Sequence, residues 1–87
     1  MSDADDTRRE WHEELSLAAL GRYHPSIAEV LRWFRYDHLP PGLQQVSRDF
    51  AGLAVLTASR SQNAETTVAL RKLLESKDAA VRASVPE

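Results

Sequence analysis

The chain has 87 residues and no cysteine, so neither a disulfide nor a thiolate metal site reinforces it. Eleven Lys and Arg against thirteen Asp and Glu leave a net charge of −2, the wrong sign for the basic footprint of a nucleic-acid binder. A domain of this size buries only about 60% of the surface its unfolded chain exposes, so self-association is the expected route to further stability. No uncharged apolar run is long enough for a membrane span, and the polar opening MSDADDTRRE is no secretory signal; one soluble, intracellular domain over 1–87 is expected.

The fold class expected is all-α, because no stretch alternates apolar with polar residues as a half-buried strand does. A first helix is predicted over 6–20, with Asp5 and Asp6 at its N-terminus, Trp11, Leu15, Ala18 and Ala19 on one face and Gly21 as the stop. The polarity of the first ten residues predicts disorder where the chain begins. Pro25 suits the first position of a second helix, whose apolar stripe is Ile27, Val30, Leu31 and Phe34. Pro40 and Pro41 end that segment, since a residue before proline disfavours helical dihedrals.

A third helix is predicted from about Pro41 to Ser59, with Leu43, Val46, Phe50, Leu53 and Thr57 as a heptad-like seam. After a turn over 59–62, Asn63 caps a fourth helix reaching about Ser84, with Glu65 in its first turn. Its predicted inward positions are Thr66, Ala69, Leu73, Ser76, Ala80 and Ala83, mostly small side chains that let two helices approach closely as an antiparallel hairpin. Leu70, Leu74 and Val81 then lie off the seam, as apolar surface that a single hairpin leaves uncovered.

No enzyme chemistry is legible. His12, His24 and His38 fall on three segments with no HExxH pair, no nucleophile sits on a glycine-flanked sharp turn, and no phosphate-binding glycine motif occurs, so no catalytic residue, metal or cofactor is expected. A DNA-reading helix is disfavoured as well, because Glu65, Glu75 and Asp78 interrupt Arg71, Lys72, Lys77 and Arg82. Such mixed charges form a solvated face with i, i+4 pairs. The segment WFRYDH, 33–38, differs in kind. Phe34 is a core anchor, whereas Tyr36 and His38 beside a rigid double proline suit rings held out for stacking on a nucleobase, with arginines nearby for phosphate.

The succession FRYDHLPPGLQQVSRDFAGLA, a short loop, then NAETTVALRKLLESKDAAVRA resembles the helical hairpin of phage anti-defence sponges, the family of the anti-CBASS cyclic-oligonucleotide sponge and the related anti-Thoeris sponge. The matching features are Phe34, Tyr36 and His38 before a proline, Arg48 on the following helix, then the cap at 63–65 and the run at 69–75. The resemblance covers 33–84 as the hairpin and leaves 1–30 as a variable N-terminal extension. With the helices read above, the fold expected is an antiparallel helical hairpin with one or two extra N-terminal helices, and the resemblance implies assembly as a homo-oligomer, a homohexamer, with pockets between subunits. It further implies a protein acting in the host cytoplasm that binds and sequesters cyclic di- or trinucleotides without catalysis, partnering neither DNA nor membrane. Carried over by position, Tyr36 stacks a base, Arg48 contacts a phosphate, and His38 and Arg71 are further matches; Thr67 and, on charge and helical position alone, Lys77 complete the expected ligand-binding set. The alternative expectation is a structural or protein-binding helical hairpin, such as a phage accessory protein.

Overall fold

The computed structural model describes residues 10–86, among which helices and turns account for the secondary structure and no strand occurs. Helix α1 spans Leu17–Leu20, α2 spans Pro25–Leu31, a 3-10 turn follows over Arg32–Phe34, α3 spans Pro41–Arg60 and α4 spans Ala64–Ser84. The all-α expectation holds. No helix among the described residues is long and apolar enough to cross a membrane.

The first predicted helix is much shorter than expected. Ser16 adopts an extended conformation and its hydroxyl accepts from the Ala19 amide at 3.2 Å, an N-cap that starts α1 only at Leu17. Trp11 and Leu15 therefore sit in the turns that precede α1, and Leu15 is buried there. The predicted start at residue 6, its acidic N-terminus and the disorder expected of the opening lie outside the described residues. Helix α2 begins on Pro25, whose missing N–H is one of the orphan donors of a first turn, while the His24 ring accepts from the Ser26 amide. Its stripe of Ile27, Val30, Leu31 and Phe34 is buried as predicted.

Helices α3 and α4 pack chiefly on one another across the three-residue connection 61–63, and α2 lies against both. Asn63 Oδ1 accepts from the Thr66 amide at 3.0 Å while Thr66 Oγ1 accepts from the Asn63 amide at 3.4 Å, a reciprocal cap that fixes where α4 starts. The bounds of the hairpin match the sequence reading, but its rotational phase does not. On α3 the buried residues are Ser47, Ala51, Gly52, Ala54, Val55 and Ala58, whereas Leu53 and Leu56 are 52% and 50% exposed. On α4, Thr66 and Leu70 are buried, Ala69, Ser76 and Ala83 are exposed, and Leu73, Leu74 and Val81 are half-buried. Leu70 thus belongs to the core, and the large apolar residues the hairpin leaves exposed are Leu53 and Leu56 of α3 and Val68 of α4 rather than Leu70, Leu74 and Val81. The physical reason is complementarity: small residues of α3 let the hairpin close, and the larger Leu70 of α4 fills the space they leave.

Candidate functional site: a cationic cleft beside Trp33

Residues 33–38 split into two sets by alternation. Phe34 and Tyr36 are each 1% exposed, while Trp33, Asp37 and His38 are exposed and Arg35 is half-buried. An extended stretch sends successive side chains to opposite sides, and Arg35 is extended, so burying two aromatic anchors turns their neighbours outward. Facing them is the last part of α4, where Lys77, Asp78, Val81 and Arg82 form one stripe at i, i+1, i+4 and i+5.

Between the two walls lies a cleft of about 580 Å³. Arg32, Arg35, Lys77 and Arg82 line it together with Trp33 and His38, against the two carboxylates Asp37 and Asp78. A chain of net negative charge thus gathers a local excess of cations. Lys77 ties the walls together: its side chain is 13% exposed, and its ammonium donates to the Trp33 carbonyl at 3.0 Å and pairs with Asp78 at 2.9 Å. Arg32 lies 4.8 Å from the Trp33 ring centroid, a cation–π contact, and reaches Glu29 at 3.4 Å, an exposed pair of little energetic weight. Among the described residues the side chains of Arg35 and Arg82 have no ion-pair or hydrogen-bond partner, so their forks remain available to an anion. Trp33, 55% exposed, offers an aromatic face beside them.

A second cluster lies behind the first. The Tyr36 hydroxyl donates to Glu10 Oε2 at 2.6 Å and accepts from the Trp11 amide at 2.8 Å. Glu10 also reaches Arg48 Nη1 at 3.7 Å and His12 Nε2 at 3.2 Å, and the His12 ring lies 4.5 Å from that of Tyr36. Burial, and after it the hydrogen bond to Glu10, pushes the Tyr36 phenol up to about 12. The Trp11 indole lies on Gly52, where any Cβ would come within 2.6 Å of Nε1.

The six expected ligand residues therefore separate. His38 and Lys77 line the cleft, although Lys77 spends its ammonium on holding the walls. Tyr36 requires correction: its ring is a buried anchor capped by Glu10, Trp11 and His12, and no face of it is free to stack on a base. Arg48 turns to the same cluster, its Nε buried without a hydrogen-bond partner among the described residues. Half-buried Thr67 and exposed Arg71 lie nearer the start of α4 and do not border the cleft. Trp33, Arg32 and Arg35 escape the sequence reading; the alternation of 33, 35 and 37 against Phe34 and Tyr36 is a signal for Trp33 and Arg35, and Arg32 has none. No group of three or more His, Cys, Asp or Glu converges as a metal site among the described residues. Comparison with protein-family models, curated proteins and solved structures finds no match.

Proposed function

We propose that the protein binds and sequesters a phosphate-bearing nucleotide ligand, of the cyclic di- or trinucleotide class, in the cleft between residues 32–39 and the end of α4. The observation that carries this reading is the pairing of an exposed indole with two unpartnered arginines in a cavity whose cations outnumber its carboxylates. Stacking on an aromatic face is worth about 1–3 kcal/mol per base, and an arginine fork matches a phosphate bidentately. The cyclic nature of the ligand, action on a host immune messenger within the host cytoplasm, and assembly as a homohexamer rest on the resemblance of 33–84 to the sponge hairpin. In this reading the protein does no chemistry on its ligand; it lowers the free concentration of a signal.

A thermal-shift screen against cyclic dinucleotides, cyclic trinucleotides and cyclic ADP-ribose isomers tests it, since a ligand at one hundred times its Kd stabilises the native state by about 2.7 kcal/mol. A positive ligand should be recovered chemically intact after the protein is denatured. Flat melting curves across the whole screen at millimolar ligand would end the proposal. A second reading, a hairpin that binds another protein or itself, is favoured by Leu53 and Leu56, which share one exposed face of α3 at i, i+3 spacing. Light scattering tests whether copies meet there, because a Leu53→Glu, Leu56→Glu chain should then fall to monomer mass; an oligomer that binds nothing in the nucleotide screen would favour this second reading.

A further inference from the structure

Of the three cleft residues on 35–38, none is oriented by a strong contact of its own. The Arg35 side chain has no partner among the described residues, and His38 and Asp37 are exposed and stand 4.0 Å from each other. The backbone that carries them is also lightly held. Its internal hydrogen bonds are Arg35 N–H to the Arg32 carbonyl at 3.4 Å and Leu39 N–H to the Tyr36 carbonyl at 3.1 Å. At its two ends Lys77 grips the Trp33 carbonyl and Gln44 Nε2 donates to the Leu39 carbonyl at 2.7 Å. In the middle, Gln44 Nε2 also reaches the Asp37 carbonyl at the longer distance of 3.5 Å, and the buried Tyr36 is held through its hydroxyl by a segment 25 residues away in sequence.

We infer that Glu10, Trp11 and Tyr36 are positioning residues of the cleft, a lock on its rear wall that aims Arg35, Asp37 and His38 toward Lys77 and Arg82. The geometry supports this from three directions. Tyr36 stands directly between Arg35 and Asp37, so the hydrogen bonds of its hydroxyl set where both neighbours emerge. His12 and Leu15, on the arm that supplies the lock, border a small recess together with those same two residues, Arg35 and Asp37. On the opposite side the arm is seated by Trp11 over Gly52, a contact whose closeness excludes any side chain at 52. A receptor loop fixed before the ligand arrives avoids the ordering cost of each side chain it immobilises, so the lock acts as preorganisation. The consequence for ligand affinity rests on the cleft being the binding site proposed above; the lock itself does not.

The test uses the whole chain with two substitutions that attack the lock from opposite sides and leave every cleft side chain in place. Tyr36→Phe keeps the buried ring and removes the hydroxyl; Gly52→Ala leaves Tyr36 and Glu10 untouched and forces the Trp11 indole off α3. In ligand-free protein, amide hydrogen exchange at Leu39 should accelerate in both variants while the middle of α4 keeps its protection. With cyclic di-AMP as the probe, each variant should bind about tenfold more weakly, the ordering cost of one or two side chains. Arg35→Ala should weaken binding without changing exchange, and combining it with Tyr36→Phe should cost less than the two losses together, because Tyr36 acts partly through Arg35. Fully additive losses, or unchanged exchange in both lock variants, would overturn the inference. A parent chain that does not bind cyclic di-AMP counts against the proposed ligand class, and the exchange result then decides the lock by itself.

Discussion

The two sides of residues 34–38 use the same kinds of groups to opposite ends. On the inner side the Tyr36 hydroxyl both donates and accepts, Glu10 engages three partners, and the ring is closed off from solvent. On the outer side Arg35 and Arg82 keep their donors unspent, and Trp33 holds an apolar face half in water. A buried polar group must be satisfied or it costs about 1–3 kcal/mol, so the inner side contributes to stability only while it stays complete. An exposed guanidinium is satisfied by water and can exchange that water for an anion. If the cleft is the binding site proposed above, stability and binding fall to alternate residues of one short segment, and substitutions should separate them.

The largest effect is expected from emptying the inner side. Tyr36→Ala removes a ring that is 1% exposed and leaves Glu10 and the Trp11 amide without their partner, so a loss of about 3–5 kcal/mol is expected, enough to unfold much of a small domain. Urea denaturation measures it. A loss below about 1 kcal/mol would mean that the inner cluster is not part of the core.

The same group gives a pH dependence of smaller size. Folding raises the Tyr36 phenol from 10.0 to about 12, so the folded chain holds this proton more tightly than the unfolded one. Its contribution is therefore fully present below pH 10 and is lost as pH rises through about 12, amounting to roughly 2–3 kcal/mol for a shift of this size. Unfolding free energies measured from pH 9 to 12 should fall more steeply for the parent than for Tyr36→Phe. Parallel curves would show that the hydroxyl is no better protected than that of a free tyrosine.

Substitutions on the outer side should leave stability alone and strike binding. Trp33→Ala is expected to cost about 1–3 kcal/mol of ligand affinity, and Arg82→Ala a similar amount, each with little change in melting temperature. Isothermal titration with the best ligand from the screen measures both. If Arg82→Ala binds as tightly as the parent, the cleft is not where the phosphates sit.

What the sequence could and could not convey follows the same division. The limits of the three later helices are legible because they are written locally, in Pro25 and Pro41 in first turns, Asn63 as a cap, and the stripe of Ile27, Val30, Leu31 and Phe34. The start of α1 at the Ser16 cap, by contrast, is not what the 6–20 pattern predicts. The facing of α3 is not legible either, because large residues such as Leu53 draw attention, while the surface that closes the hairpin is made of Ser47, Ala51, Ala54 and Ala58. Of the residues the sequence singles out, the structure brings His38 and Lys77 to one cleft. Tyr36 was misplaced as an exposed ring because the residues that cover it, Glu10 and Trp11, lie 26 and 25 positions earlier, beyond the reach of any local pattern. Trp33 was passed over because its role depends on which of its neighbours are buried.

The smallest expected effect is also the sharpest test of where the cationic site ends. Arg71 sits in the run ALRKLLE that carries the sponge resemblance, yet it is exposed and lies six residues before Lys77, about 9 Å along the axis of α4. No ion pair with Glu75 forms, and the cleft is bordered by 77, 78, 81 and 82 instead. A surface arginine that, like Arg71, has no side-chain partner among the described residues contributes within about 0.5 kcal/mol to stability, so Arg71→Ala should melt with the parent. If ligand binding is confined to the cleft of one chain, its affinity should be unchanged as well. The informative exception is a variant with parental stability and a tenfold or greater loss of affinity. That result would place Arg71 in contact with ligand, either from its own chain, whose cleft begins about 9 Å further along α4, or across a subunit boundary. The same measurement repeated on the monomeric Leu53→Glu, Leu56→Glu chain would then decide it: a contact between subunits disappears there, and Arg71→Ala should have no further effect.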